Sequence, residues 1–286
     1  MLSWTIGQVT ITCIQESESD VPPGFLIPGL TAERVAAIEW LDPGFLGAGG
    51  MLRLAIQALV IRTPERLIVV DTCVGNDRFG REIPNWNGLN TAFLNDFAAS
   101  GFDPAAVDTV FCTHLHSDHV GWNTMKSGDR WVPTFPNARY LLGRKEFEYW
   151  DKEREAGKGS TPAVFADSIR PLFEAGLVDL IDLPHGVTDE IALVSTPGHT
   201  PGHASVQIRS QGQAALITGD FIHHPCQMAV PHLAEIADTD GALAGETRRQ
   251  MLGDCADRPI LVIGTHFARP VAGHVHSDGP VFRFET

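Results

Sequence analysis

One short segment concentrates side chains able to do chemistry: His114-Leu115-His116-Ser117-Asp118-His119. His114 and His116 are two apart, so on an extended backbone both imidazoles face the same way. Asp118 and His119 follow in the turn beyond. All twelve histidines lie after residue 113, and three further positions share the same setting: His199, Asp220 and His266. Each follows a run of apolar residues that reads as a buried strand, or the turn just after it. Strand ends are held by their sheet and can be aimed at one point. Imidazoles with carboxylates suit a divalent cation such as Zn²⁺, Fe²⁺ or Mn²⁺, and no cysteine stands among these candidates. A solvated histidine-rich turn would explain a lone HxH, but not the whole ordered set.

The elements that must position these groups can be read from pattern. Residues 1–14 alternate as a strand. Strands follow at 52–62, 67–71, 107–112, 139–143, 178–183, 191–196, 204–209, 214–218 and 259–264. Helices are expected near 32–40 (with Thr31 as N-cap), at 90–100, 144–155, 163–175 and 242–256. Residues from about 15 to 50 are rich in Pro, Gly and bulky apolar groups. They are expected to form an arm that packs over the site or a partner subunit, within a single domain spanning 1–286. A weak internal echo supports two similar α/β halves: Asp71 and His116 are spaced almost as Asp220 and His266 are.

The totals fit an ordinary globular chain of 286 residues, 43% hydrophobic and 20% charged, with a formal net charge of -14. That charge argues against nucleic acid or an anionic membrane as partner and leaves a small molecule as the substrate. Five scattered cysteines without CxxC pairs read as reduced, buried small hydrophobes. No basic-then-apolar leader opens the chain, and no stretch reaches the roughly 18–20 apolar residues of a membrane span. A cytoplasmic enzyme is the expectation, and the apolar arm makes a homodimer a further one.

The motifs resemble those of the metallo-β-lactamase superfamily: THLHSDH at 113–119, VDTCVG at 70–75, PGHTPGH at 197–203, TGD at 218–220 and GTH at 264–266. Their order and spacing match from about residue 50 onward. The resemblance implies an αββα sandwich, two mixed β-sheets with helices on their outer faces. Carried over position by position, His114, His116 and His199 hold one metal. Asp118, His119 and His266 hold a second, and Asp220 bridges both. Asp71 orients the histidine loop without being a ligand. Zinc is the first expectation for both ions. A hydroxide bridging such a pair would attack a carbonyl or phosphoryl centre, with Asp118 passing a proton to the leaving group.

At finer grain HSDHVGWN, WVPTFPNARYL, TGDFIHHP and GTHFARP resemble a branch of N-acyl homoserine lactonases and methyl parathion hydrolase-like enzymes. This implies lactone opening or carboxylic-ester cleavage, with organophosphate triester or β-lactamase-type amide hydrolysis as the alternatives. A thioester hydrolase, a nuclease and a metal-stabilised binding protein are weaker rivals. Many lactonases carry a tyrosine three residues after the bridging aspartate. Here His223 stands there, and its N–H could donate to a developing oxyanion, which makes it the second catalytic candidate beside Asp118. Phe25, Ile27, Phe45, Trp86, Trp122 and Phe267 are candidates for an apolar pocket wall, against ordinary core packing. His203 reads as a supporting core histidine, and the His274/His276 pair as surface.

Overall fold

In the computed structural model, which describes residues 2–286, the chain divides into two compact units. The first runs up to Ser17 and resumes over Ile56–Leu183; the second comprises Glu18–Ala55 and Pro184–Thr286. Each is built round one seven-stranded mixed sheet, the two-sheet α/β architecture the motifs implied.

The first sheet runs in the order Leu2–Ile6, Val9–Val21, Leu52–Arg62, Leu67–Val70, Thr109–Cys112, Arg139–Gly143, Val178–Ile181. Its central strands LIVV and TVFC are buried at every position. Apolar, largely β-branched runs of that kind are what a strand covered on both faces requires. They pair in parallel, with Ile68 opposite Thr109 and Val70 opposite Phe111. Their C-terminal ends therefore lie side by side, which brings Asp71 next to Thr113, and ligand groups gather at such ends in open α/β sheets.

The second sheet runs from His185–Gly186 through Ile191–Ser195, Ala204–Ser210, Gln213–Ile217, Ile260–Ile263 and Ala272–Asp278 to Val281–Glu285. Gln213–Ile217 and Ile260–Ile263 are parallel, so Thr218–Asp220 and Gly264–His266 leave the same edge. Ser195 pairs with Ala204, and Val206 with Ile217, which places the His199 turn on that edge too. This repeats the strand–helix–strand arrangement of the Asp71 and His116 region, as the sequence echo suggested.

Several elements differ from the pattern reading. The first strand is a hairpin, Leu2–Ile6 against Val9–Val21, turning at Gly7 with φ +59°. The helix capped by Thr31 ends at Ala36. The segment expected as one helix over 163–175 is broken into Thr161–Val164, a wider-turned Phe165–Ile169 and Arg170–Glu174. Pro171 is the reason: it has no N–H to give to the carbonyl of Asp167, four residues back. Arg78 Nη1 (3.1 Å) and Thr124 Oγ1 (2.5 Å) donate to that carbonyl instead. The hairpins Thr124–Ser127/Arg130–Pro133 and Ala272–Asp278/Val281–Glu285 were not anticipated.

Each unit has its own core. Phe93, Phe97, Val110, Tyr140, Leu142 and Trp122 belong to the first; Ile27, Phe45, Phe221, Ile222, Val262 and Phe267 belong to the second. The apolar arm thus contributes Leu26, Ile27, Leu30, Val35 and Phe45 to the second unit's interior.

Candidate functional site

In the first unit the strand Thr109–Cys112 delivers the histidine loop, and Asp71 holds its start. Asp71 Oδ1 accepts from Thr113 N (2.8 Å), and Oδ2 accepts from Thr113 Oγ1 (2.9 Å). The same Oδ2 lies 3.0 Å from His119 Nδ1. Asp71 sits at φ +57°, a left-handed conformation that aspartate tolerates better than most residues. The orienting role expected of it therefore has a geometry: one carboxylate bonds the start of the loop at Thr113 and lies beside the His119 ring at its end. His114 and His119 are buried, while His116 and Asp118 are half-buried. His114 Nε2 and His116 Nδ1 are 2.9 Å apart, and His119 Nε2 is 3.8 Å from Asp118 Oδ2. All four expected ligands of this loop are brought together.

Three supports of the loop escaped the sequence reading. Glu146, in the first turn of Arg144–Glu155 and 1% exposed, accepts from Leu115 N (3.1 Å) and Trp150 Nε1 (2.7 Å) through Oε1. Glu16 accepts from Val74 N (2.8 Å) and Trp122 Nε1 (2.6 Å), and burial pushes its carboxyl above the ordinary range against those bonds. Arg78, fully buried, donates to the carbonyls of Gly121 and Thr124. Burial pulls its pKa down to about 10, with Asp167 opposing, so it remains charged at neutral pH. Polar residues in polar stretches carry no sequence signal for such burial. At Gly121 a Cβ would meet Val74 O at 1.8 Å, so only glycine lets the loop return against the VDTCVG turn.

In the second unit, Asp220 is the hub. Its Oδ2 lies 3.1 Å from His223 Nε2, 3.1 Å from His266 Nε2 and 3.6 Å from His199 Nε2. Asp220, His223 and His266 form a buried group able to hold a metal ion, as do His199, His223 and Glu235. The backbone of Asp220 is fixed by His203, whose Nε2 accepts from Asp220 N (2.7 Å) while Nδ1 donates to Thr196 O (2.9 Å). Gly219, at φ +56°, leaves room for that ring; a Cβ there would lie 2.5 Å from His203 Nε2. His266 is aimed by its Nδ1, 2.8 Å from Ala55 O.

His223 stacks on His266, the rings 5.3 Å apart and 3° from parallel. Burial disfavours a proton on His223, but the carboxylates of Asp220, Glu235 and Asp238 outweigh it and raise its pKa to about 9. Its Nδ1 is buried and has no hydrogen-bond partner among the described residues. His224 is a structural neighbour. Its Nδ1 accepts from Cys226 N (3.1 Å), which leaves Nε2 to donate to Phe45 O (2.8 Å).

Of the aromatic and aliphatic wall candidates, most are core. Ile27, Phe45 and Phe267 are fully buried, and Trp122 stacks on Phe93 at 5.5 Å with its N–H on Glu16. Trp86 is half-buried against the first unit's core, and only Phe25, 53% exposed, faces solvent. His274 is exposed, and His276 pairs with Glu285 (3.2 Å) and Asp257 (3.5 Å) on the last hairpin.

Fold and side chains together define an α/β protein that presents histidines and aspartates, able to hold a metal ion, at the ends of its strands. A family model described as the metallo-beta-lactamase superfamily matches residues 52–266, and the chain belongs to that superfamily. Curated relatives include N-acyl homoserine lactonase AttM of Rhizobium radiobacter, 32% identical over 153 residues, covering 51% of this chain and 54% of the relative. AttM of Azorhizobium caulinodans is 33% identical over 152 residues, covering 49% and 52%. The chain spans about half the length of these relatives. Among solved structures, hydrolase AbOPH of the beta lactamase superfamily superposes with TM-score 0.81 at 24% identity, covering 99% of this chain and 95% of that one. AidC, a dizinc quorum-quenching lactonase in complex with a product N-hexanoyl-L-homoserine, gives TM-score 0.80 at 21% identity, covering 99% and 96%. Those two likenesses establish the fold. No helix among the described residues is long and apolar enough to cross a membrane.

Proposed function

We propose that this protein is a metal-dependent hydrolase of small cyclic or acyclic carboxylic esters, with a lactone as the first substrate class. His114, His116 and His199 would hold one divalent cation, Asp118, His119 and His266 a second, with Asp220 shared and zinc the first choice for both. The observation that carries this is the convergence of three imidazole nitrogens on the one buried oxygen of Asp220. Imidazole nitrogens at 3.1, 3.1 and 3.6 Å from one buried carboxylate oxygen bring together nitrogen and oxygen donors close enough to share a cation. The chemistry of that set, nitrogen and oxygen with no thiolate, fits zinc and equally manganese or iron.

Two bound cations would supply Lewis acidity and a water acidic enough to lose its proton near neutral pH. The protein's own groups do the rest. Asp71 and Glu146 hold the histidine loop from behind, so its ligands need little rearrangement on loading. Asp118, half-buried, is accessible for carrying a proton to the leaving oxygen of an opened ester. His223, whose Nε2 lies 3.1 Å from Asp220 Oδ2, would donate to charge that develops on the carbonyl oxygen. The named lactonase relatives support the lactone over other esters.

The test is elemental analysis of the purified protein together with turnover of an acyl homoserine lactone, an aryl ester, methyl paraoxon and a cephalosporin. About two equivalents of metal and a kcat/KM highest for the lactone are expected. A metal-free protein, or a preference for the cephalosporin, would sink the assignment.

A further inference from the structure

His199 is gripped by a loop that none of the expected ligand motifs includes. Its Nδ1 lies 3.0 Å from Asp238 Oδ1 and its carbonyl accepts from Thr239 N (2.8 Å). Asp240 N donates to Gly198 O (2.9 Å), so three consecutive residues bind two. Glu235 Oε2, at 3.8 Å, is too far to be the acceptor of the Nδ1 proton. The other oxygen of Asp238 accepts from Glu235 N (2.8 Å) and faces Arg248 Nη2 at 3.7 Å. Arg248 is fully buried in Gly241–Cys255. Its Nε donates to Phe221 O (2.8 Å) and its Nη1 to Pro231 O and Leu233 O (3.0 and 2.7 Å). One guanidinium thus ties the residue after Asp220 to the carboxylate behind His199. Arg248 Nη2 is buried with no hydrogen-bond partner among the described residues, and of the carboxylates that act on the guanidinium Asp238 acts most strongly, ahead of Glu235.

We propose that Asp238 is the positioning carboxylate of His199, held by Arg248, and that this buried chain fixes the His199 proton on Nδ1 so that Nε2 is presented to a cation. The inference rests on the metal-hydrolase reading above. A ligating imidazole needs an acceptor for its other N–H, and loss of such a partner weakens metal affinity by about 10–100-fold. In the first unit a carboxylate stands in the same relation to a histidine, Asp71 Oδ2 lying 3.0 Å from His119 Nδ1. Asp238 meets this need in the second from a polar stretch, EIADTD, that has no motif character.

Two measurements decide the matter. Chelator competition on the Asp238→Ala variant should show one cation equivalent bound about 10–100-fold more weakly than in the wild type, and the other unchanged. The melting temperature of the chelated variant reports whether it folds. In the zinc-loaded wild type, a long-range ¹H–¹⁵N spectrum should place the His199 proton on Nδ1 and none on Nε2, an answer that needs no variant. A folded Asp238→Ala that binds both cations as tightly as the wild type overturns the proposal and leaves the hydrolase reading standing. So does a His199 proton found on Nε2. A wild-type protein that takes up no cation overturns both.

Discussion

At the scale of single residues, the identity of a group decided less than the atom it turns to its neighbour. His223 and His224 are adjacent, alike and both buried, yet their surroundings separate them. His223 faces Asp220 and Glu235, and its pKa is raised to about 9; His224 faces the Phe45 carbonyl, and burial pulls it down to about 4. Only the first belongs to the buried groups able to hold a metal ion. If its ring stabilises charge on the substrate oxygen, His223→Ala should lower kcat by about 100-fold with KM little changed. Steady-state kinetics on the metal-loaded variant measures this, and an unaltered kcat would remove His223 from the mechanism.

At the scale of elements, buried neutral groups make stability depend on pH. His224 caps the short helix Pro225–Met228, with Gln227 completing the reciprocal bonds. Its folded pKa lies below the ordinary 6.5. Below that pH the unfolded chain takes up a proton that the folded state refuses. The stability this neutral ring supports is therefore complete above pH 6.5 and is lost as pH falls towards 4, by about 3 kcal/mol at roughly 1.4 kcal/mol per pH unit. Denaturant unfolding from pH 7 to 4.5 should show a steeper loss in the wild type than in His224→Gln, both in the same metal state. Equal slopes would mean that the ring is not held neutral. The broken helix around Pro171 makes a related point: Arg78 and Thr124 replace the one missing donor, so the proline becomes a junction rather than a defect.

At the scale of the whole molecule, two sheets of seven strands carry the chemistry on loops and keep the strands for packing. All five cysteines lie inside, and none is in a disulfide among the described residues. Burial raises the thiols of Cys73, Cys112, Cys226 and Cys255, the last to about 12 with Asp254 adding to it. A thiol that cannot ionise is a poor nucleophile. Ellman's reagent should find no fast-reacting thiol in the native protein and all five after denaturation. A rapid single equivalent under native conditions would show a reactive site that the fold does not provide.

What the amino-acid sequence determined by itself was local and periodic. Central strands such as LIVV and TVFC announce themselves because burial on both faces requires unbroken apolar runs. The histidine and aspartate motifs announce themselves because strand ends and turns keep chemically active residues at fixed spacings. Tertiary structure alone decided which polar groups lie behind those histidines and aspartates. Glu146, Arg78, Asp238 and Arg248 come from elements far along the chain, and nothing in their own neighbourhoods marks them for burial. Their roles depend on desolvation and on partners distant in sequence, and those exist only once the chain has closed round them.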